Sequence, residues 1–306
     1  MSDHAGKTLS AIILERQPGL HEEAAKSSLL DLLKSTAKKV AVDAEDFYIV
    51  EGDLVLDGDQ LEIFAVNEAR RRTEQALSIT PGSLLTGVAN IGPDPMSGAL
   101  MGILALGGKL VRWKEGVTLT YCVLRETFTS QQRYELVRAN MQKATEDWQR
   151  ICGIQFDHRV ELDESAGTKN PGVVFTVREF DAGGQFIASA FFPTDPSSRR
   201  RVLIDGSYFA DDLSFDKVGV LRHELGHTMG FRHEHIRADA PAACPDEPLF
   251  AAGGAATPLT AYDPKSVMHY FCGGVGSREL ALTELDKFGA QTLYGPPLNQ
   301  FFFVEV

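Results

Sequence analysis

The sequence lacks an apolar run long enough to cross a membrane. Its longest, residues 98–108, is about half of the ~20 residues that a transmembrane helix needs. It also lacks a basic excess, since 42 acidic residues stand against 30 Lys and Arg, for a net charge of −12. We therefore expect neither a membrane span nor a nucleic-acid partner, and we expect a monomeric protein.

The N-terminus also lacks the apolar core of a secretory signal peptide. Only the apolar residues 11–14 precede Glu15, whereas such a core needs about 7–15 residues. Classical secretion is therefore not expected, and the chain is expected to be cytoplasmic or to be exported by another route.

Cysteine is scarce, because Cys122, Cys152, Cys244 and Cys272 are the only four, and none has zinc-finger spacing. Four cysteines allow three disulfide pairings, among which the sequence does not decide. Cys244 and Cys272 flank a loop, and Cys122 and Cys152 flank a predicted helix. We favour these two pairings, with free buried thiols as the alternative.

Chain length and the positions of glycine and proline predict how the chain divides into domains. At 306 residues it can form about two domains. Glycine and proline break every periodicity between residues 79 and 110. We therefore predict a linker at 79–110, between a prosegment-like N-terminal region at 1–78 and a larger domain at 111–306.

The N-terminal region alternates helix and strand signals. Good helix formers predict an amphipathic helix over residues 24–39. Residues 47–50 and 54–56 are β-rich and flank Gly52, which predicts two strands joined by a turn. Asp57 offers an N-cap for a second helix.

The larger domain begins with one strand, one helix and four further strands. Thr129 or Ser130 can cap that helix, and Ser214 can cap a later one. A terminal helix begins at Thr283 with a capping-box signal and ends at Tyr294. The predicted strands cover residues 118–124, 154–160, 173–178, 185–192 and 202–204.

Two histidines on one helix face indicate a metal site. His223 and His227 lie one turn apart, so both imidazoles can reach one ion, with Glu224 beside them. Gly230 supplies a left-handed residue that ends the helix, and this turn can bring back His233 as a third ligand. Three protein ligands with one open position are typical of catalytic zinc. The opposite, apolar face of the helix consists of Val218, Leu221, Leu225 and Met229.

The motif over residues 223–233, His-Glu-x-x-His-x-x-Gly-x-x-His, resembles the signature of the metzincin zinc peptidases. Residues 230–239 are similar to the astacin subfamily, and residues 266–270, Ser-Val-Met-His-Tyr, match its Met-turn. The pattern departs from that subfamily at Ala240. The resemblance covers about residues 110–295 and fits a bacterial-type relative of the astacins.

An α/β (α+β) metzincin-like catalytic domain is the fold that this resemblance implies. It would contain a five-stranded mixed twisted sheet with two main helices and the zinc-site helix. An irregular C-terminal subdomain with the Met-turn and a terminal helix would follow. A small α/β prosegment-like region would precede the domain.

The resemblance also implies the chemistry of a zinc-dependent endopeptidase acting on protein or peptide substrates. One Zn²⁺ on His223, His227 and His233 would lower the pKa of its bound water to about 7. Glu224 would serve as general base and acid, and Tyr270 as the donor that stabilises the oxyanion.

Two alternatives stay open. The first is a catalytically silent zinc-binding interaction protein, which the intact Glu224 and Tyr270 disfavour. The second is hydrolysis of a non-peptide amide. Residues 185–192 disfavour it, because the small side chains at 188–190 suit an edge strand that an extended peptide can join.

Gly52 and Asp53 are similar to the Phe-x-Gly-Asp motif of astacin prosegments, with Val50 in place of Phe. In that motif the aspartate binds the catalytic zinc, so the resemblance implies a latent proenzyme. The alternative is a Gly-Asp hairpin turn that packs within its own region. Glu234 likewise either anchors a processed N-terminus, as in animal astacins, or forms a local ion pair.

Overall fold

The computed structural model describes residues 18–42, 45–50, 52–62, 64–66, 69, 100–105, 109–167, 169–237, 240 and 256–298. Within these ranges no helix combines the length and the apolar character that a membrane span requires. The bounds of the predicted linker and domains stay a prediction.

A five-stranded mixed sheet lies at the centre of the larger region, as predicted. Its strands are β6 (Thr118–Val123), β7 (Gln155–His158), β8 (Phe175–Glu179), β9 (Ala188–Ser189) and β10 (Arg201–Ile204). The order is β7-β6-β8-β10-β9, with β9 antiparallel to β10 and the other pairs parallel. β9 is an edge strand of two residues, much shorter than the predicted 185–192, because it pairs only with the last two residues of β10.

Three helices accompany this sheet, namely α2 (Gln131–Ile151), α3 (Lys217–Thr228) and α4 (Glu284–Tyr294). Trp148 on α2 is fully buried, and its indole Nε1 donates to the carbonyl of Arg222 on α3 at 2.9 Å. The apolar stripe predicted for α3 faces this core, where Leu221, Leu225 and Met229 are fully buried. This hydrogen bond and the shared core hold α2 and α3 together beside the sheet.

Side chains cap these helices, with one correction to the prediction. Ser130 caps α2, and Thr283 forms a capping box with Asp286 at the start of α4. The cap of α3 is Asp216 and not Ser214, because the Asp216 carboxylate accepts from Gly219 N at 2.6 Å. A carboxylate at this position also complements the positive end of the helix dipole.

The N-terminal residues form α1 (Pro18–Thr36) and the antiparallel sheet of β1 (Lys38–Val42), β2 (Glu45–Val50) and β3 (Leu54–Asp57). The predicted helix over 24–39 therefore extends too far, because Lys38 and Lys39 begin β1. Pairing with β2 overrides the helix propensity of these residues. The predicted hairpin is confirmed, with Gly52 at a φ of 80°, and helical residues follow at 58–62 and 64–66.

Part of the predicted linker is a strand. β4 (Met101–Ala105) pairs antiparallel with β11 (Phe231–Arg232) and β12 (Ala256–Pro258). β5 (Lys109–Leu110) pairs with β4 in turn. β11 and β12 are distant from β4 in sequence, so periodicity within residues 79–110 gave no sign of this pairing.

Cys122 and Cys152 are free and buried, so the predicted disulfide between them is wrong. Cys122 packs with Leu124 and Val173, whereas Cys152 belongs to the main core that contains Trp148. Cys272 is disulfide-bonded, and Cys244, its predicted partner, lies outside the described residues.

Candidate active site

Helix α3 places His223 and His227 on one face, and two backbone carbonyls outside the helix fix their tautomers. The Nδ1 atoms of His223 and His227 lie 2.7 and 2.8 Å from the carbonyl oxygens of Val267 and Phe231. A carbonyl only accepts, so each Nδ1 carries the proton and each Nε2 keeps its lone pair for a metal. Burial lowers the pKa of His227, which also favours the neutral, ligating form.

Gly230 turns the chain so that His233 joins the other two histidines. Its φ is 97°, a value that L residues rarely adopt. The Nε2 of His233 lies 3.1 Å from that of His227 and 3.2 Å from that of His223. Two nitrogens about 2.05 Å from a tetrahedral zinc ion would lie about 3.3 Å apart. The three imidazoles therefore fit one zinc ion.

Asp53 of the β2–β3 hairpin extends its carboxylate into this histidine cluster. Oδ1 lies 3.2 Å from His233 Nε2, and Oδ2 lies 3.3 Å from His223 Nε2. One ligand atom from each of the four buried residues lies within 4.8 Å of every other, so the group could hold a metal. Burial acts to raise the Asp53 pKa, but the neighbouring imidazoles, His233 above all, hold it well below its usual value.

Glu224 points into the site from the same helix face. The residue is buried, and its Oε2 has no hydrogen-bond partner among the described residues. Burial, and then the charge of Asp53, raises the pKa of Glu224 well above its usual value. A buried carboxylate with a free lone pair and a raised pKa can both accept and return a proton.

The Met-turn lies beneath α3. A Cβ added to Gly226 would come closer to the sulfur of Met268 than the 3.0 Å limit of real contacts. Asp286 fixes this turn: its carboxylate accepts from Ser266 Oγ at 2.6 Å and from Val267 N at 2.9 Å. The capping-box aspartate of α4 thus also anchors the segment that supports the histidines.

Tyr270 follows the Met-turn and borders the cluster. Its ring centroid lies 4.4 Å from those of His233 and His235, and 5.7 Å from that of His223. The residue is half-buried at the wall of an adjacent cavity. This location is suitable for a donor to a substrate atom near the histidines.

Glu234 forms a local ion pair. The Arg237 guanidinium lies 3.2 Å from Glu234 Oε1, which also accepts from Asp263 N at 3.0 Å. Burial acts to raise the pKa of Glu234, and the charge of Arg237 opposes that rise. Of the two sequence-based interpretations, the described contacts fit the ion pair.

A cavity of about 340 Å³ opens beside Glu224 and Asp53. Its walls are mainly apolar side chains from three segments of the chain, and Tyr270 closes one side. The apolar lining includes Phe186, Ile187, Phe215, Val220, Phe271 and Leu280. The cavity therefore suits an apolar side chain of a ligand bound across the histidines.

Sequence reasoning missed the structural role of Asp286. The capping-box pattern located this residue at the start of α4, but gave no sign that it also accepts from Ser266 and Val267. The contact joins residues about 20 positions apart across two turns. The full burial of the Asp286 carboxylate would have indicated such a contact, but burial is not visible in the sequence.

Comparisons with known proteins bear on this region. Residues 112–240 match the family model Peptidase_M10, described as Matrixin. No curated protein matches the chain. Among solved structures, the one described as "Structure of myroilysin" has a TM-score of 0.43 and 19% identity, covering 60% of this chain and 95% of that one. The Matrixin match covers under half of the chain; it makes residues 112–240 similar to a metzincin-type zinc metallopeptidase and leaves the astacin-like subtype unassigned.

Proposed function

We propose that the chain is a zinc-dependent endopeptidase. The observation that carries this proposal is the convergence of three imidazole Nε2 atoms beside a buried Glu224 whose Oε2 is unpaired among the described residues. The silent interaction protein is not favoured, because binding a metal alone would not require that carboxylate. The Matrixin match is in agreement.

His223, His227 and His233 would hold the zinc ion. When bound, zinc acts as a Lewis acid and lowers the pKa of water at the open position. Glu224 takes a proton from the attacking water and delivers it to the leaving amine. Tyr270 donates to the oxyanion of the tetrahedral intermediate.

The substrate would be an extended polypeptide. Among the described strands, β9 pairs only with β10, so its other side can pair with a substrate backbone. The apolar cavity beside Glu224 would accept a large apolar side chain next to the bond that is cut. Within the metzincins we propose the astacin-like subtype. The Met-turn segment 266–270, which ends at Tyr270, supports this proposal.

The zinc requirement has a direct test. Removal of metal from active protein with a chelator should abolish cleavage of a peptide substrate, and added Zn²⁺ should restore it. His233→Ala should lose both bound zinc and activity. His158→Gln, far from the cluster in a contact with Asp163, is the control and should keep both. Cleavage that survives full metal removal would contradict the proposal.

We also propose that Asp53 keeps the full chain latent. Its carboxylate lies where it can serve as a fourth ligand in place of water, and Gly52 allows the hairpin to approach the histidines closely. The Gly-Asp hairpin turn therefore does not exclude the switch, because this turn is what places Asp53 among the histidines.

Asp53→Ala should raise cleavage of a short peptide by the uncut chain, because the position that the carboxylate takes becomes free for water. Asp59→Ala, an exposed carboxylate nearby, is the matched control and should change nothing. Full activity of the wild-type chain before any cleavage, or no response to Asp53→Ala, would contradict latency.

A further inference from the structure

The described residues between 18 and 69, here called the N-terminal unit, form a sheet with two apolar faces. Alternate residues of β2 and β3 point to opposite sides. One face, with Val50, Leu54 and Leu56, packs on Leu29 and Leu33 of α1. The unit therefore has a small core of its own.

The other face of this sheet packs on the larger region. Val40, Phe47 and Ile49 form one buried cluster with Ala182, Phe186 and Leu203 of the larger region. The β10 neighbours of Leu203 face the main core, so Leu203 belongs to the outer face of the central sheet. The N-terminal unit covers that outer face next to the edge strand β9.

Polar contacts add to this apolar contact. The Arg199 guanidinium forms an ion pair with the Asp57 carboxylate, and that of Arg201 lies 4.8 Å from the Phe47 ring centroid. Phe192 joins the cluster of Leu54 and Leu56. We call the residues of the larger region that make these contacts the docking surface: Ala182, Phe186, Phe192, Arg199, Arg201 and Leu203.

We propose that the docking surface keeps the N-terminal unit bound, as a non-covalent inhibitor, after the chain between residues 69 and 100 has been cut. This inference rests on the proposed function. A cut there removes none of the contacts above. It only makes the contact intermolecular, so the tether no longer supplies a high effective concentration of the N-terminal unit at the docking surface.

Activation then has two steps. The first is the cut, and the second is loss or destruction of the severed unit. Until that loss, Asp53 stays among the histidines, and β3 stays beside residues 189–192, which hinders an extended polypeptide from pairing with the edge strand. Dilution alone should therefore activate cut protein.

The test uses the full chain with a specific protease recognition sequence inserted between residues 69 and 100 and a tag at the N-terminus. In a Glu224→Gln background, which prevents self-digestion, the two pieces should elute together after complete cutting at about 1 µM. With Glu224 intact, cleavage of a short fluorogenic peptide per molecule should rise at least about tenfold on dilution from 1 µM to about 1 nM.

Variants of the docking surface separate its contribution from that of Asp53. Arg199→Ala and, on the other side, Phe47→Ala should raise the concentration of half-maximal activity by about tenfold. Arg125→Ala, which removes an exposed ion pair with Glu164 away from this surface, is the matched control and should not shift it. Phe47→Ala alone could fail to fold, and Arg199→Ala keeps the test intact in that case.

The outcomes are distinct. Pieces that elute separately, or full activity immediately after cutting at 1 µM, would overturn this inference while leaving the peptidase function intact. Loss of co-elution in Asp53→Ala would also overturn it, since the metal contact alone would then hold the unit. Zinc-loaded, fully diluted protein that never cleaves a peptide would instead refute the proposed function, while co-elution would still decide the inference.

Discussion

Gly226→Ala tests whether Met268 lies directly beneath the zinc-site helix. Glycine inside a helix normally costs about 0.5–1 kcal/mol relative to alanine, so the substitution would stabilise α3 if there were room. There is no room: the new Cβ would lie under 3.0 Å from the Met268 sulfur, whereas ordinary contacts are about 3.5–4.0 Å. Met268 is fully buried and would have to move.

Overpacking of this kind costs about 1–3 kcal/mol, which corresponds to a fall in Tm of roughly 2–12 °C for a domain of this size. Thermal unfolding of zinc-loaded protein measures it. Gly206→Ala is the matched control, because a Cβ there meets nothing within 4 Å. In a Met268→Ala background, Gly226→Ala should no longer destabilise. A raised Tm for Gly226→Ala alone would refute the placement of Met268.

Two further predictions concern the same turn. Tyr270→Phe should lower kcat more than it raises KM, because an oxyanion donor acts in the transition state, and steady-state kinetics on a peptide will detect the difference. Asp286→Asn should lower the free energy of unfolding by about 1–3 kcal/mol, because the amide keeps only one of the two oxygens that accept from Ser266 and Val267. Burial raises the folded-state pKa of Asp286 to about 6, above its unfolded value. The free energy of unfolding of the wild-type protein therefore falls as the pH rises from about 4 to about 6. The penalty of Asp286→Asn should therefore shrink over that pH range in chemical denaturation, and a constant penalty would contradict the buried position.

Local patterns carried the parts of the site that the sequence predicted. His223 and His227 are brought together by helix geometry alone, and Gly230 returns His233 within three further residues. Ser130 and Thr283 were likewise readable as caps, because a cap depends on residues within one turn.

Contacts between distant residues were not readable. Lys38 and Lys39 look helical until β2 offers a partner, and β4 pairs with β11 and β12 more than 100 residues away. The free state of Cys122 and Cys152 depends on which core cluster each joins, which spacing does not reveal. The motif of Asp53 was visible, but its approach to His233, 180 residues later, required the structure.

The central claim, that Glu224 acts as the proton carrier of a zinc peptidase, is tested by peptide cleavage in the Asp53→Ala chain with and without Glu224→Gln, with zinc content measured on both. One zinc ion per chain is expected in each, because Glu224 is not a ligand. Cleavage should fall by about 10²-fold or more in the double variant, as expected for loss of a general base. A double variant that holds its zinc and cleaves at the rate of Asp53→Ala would contradict the account.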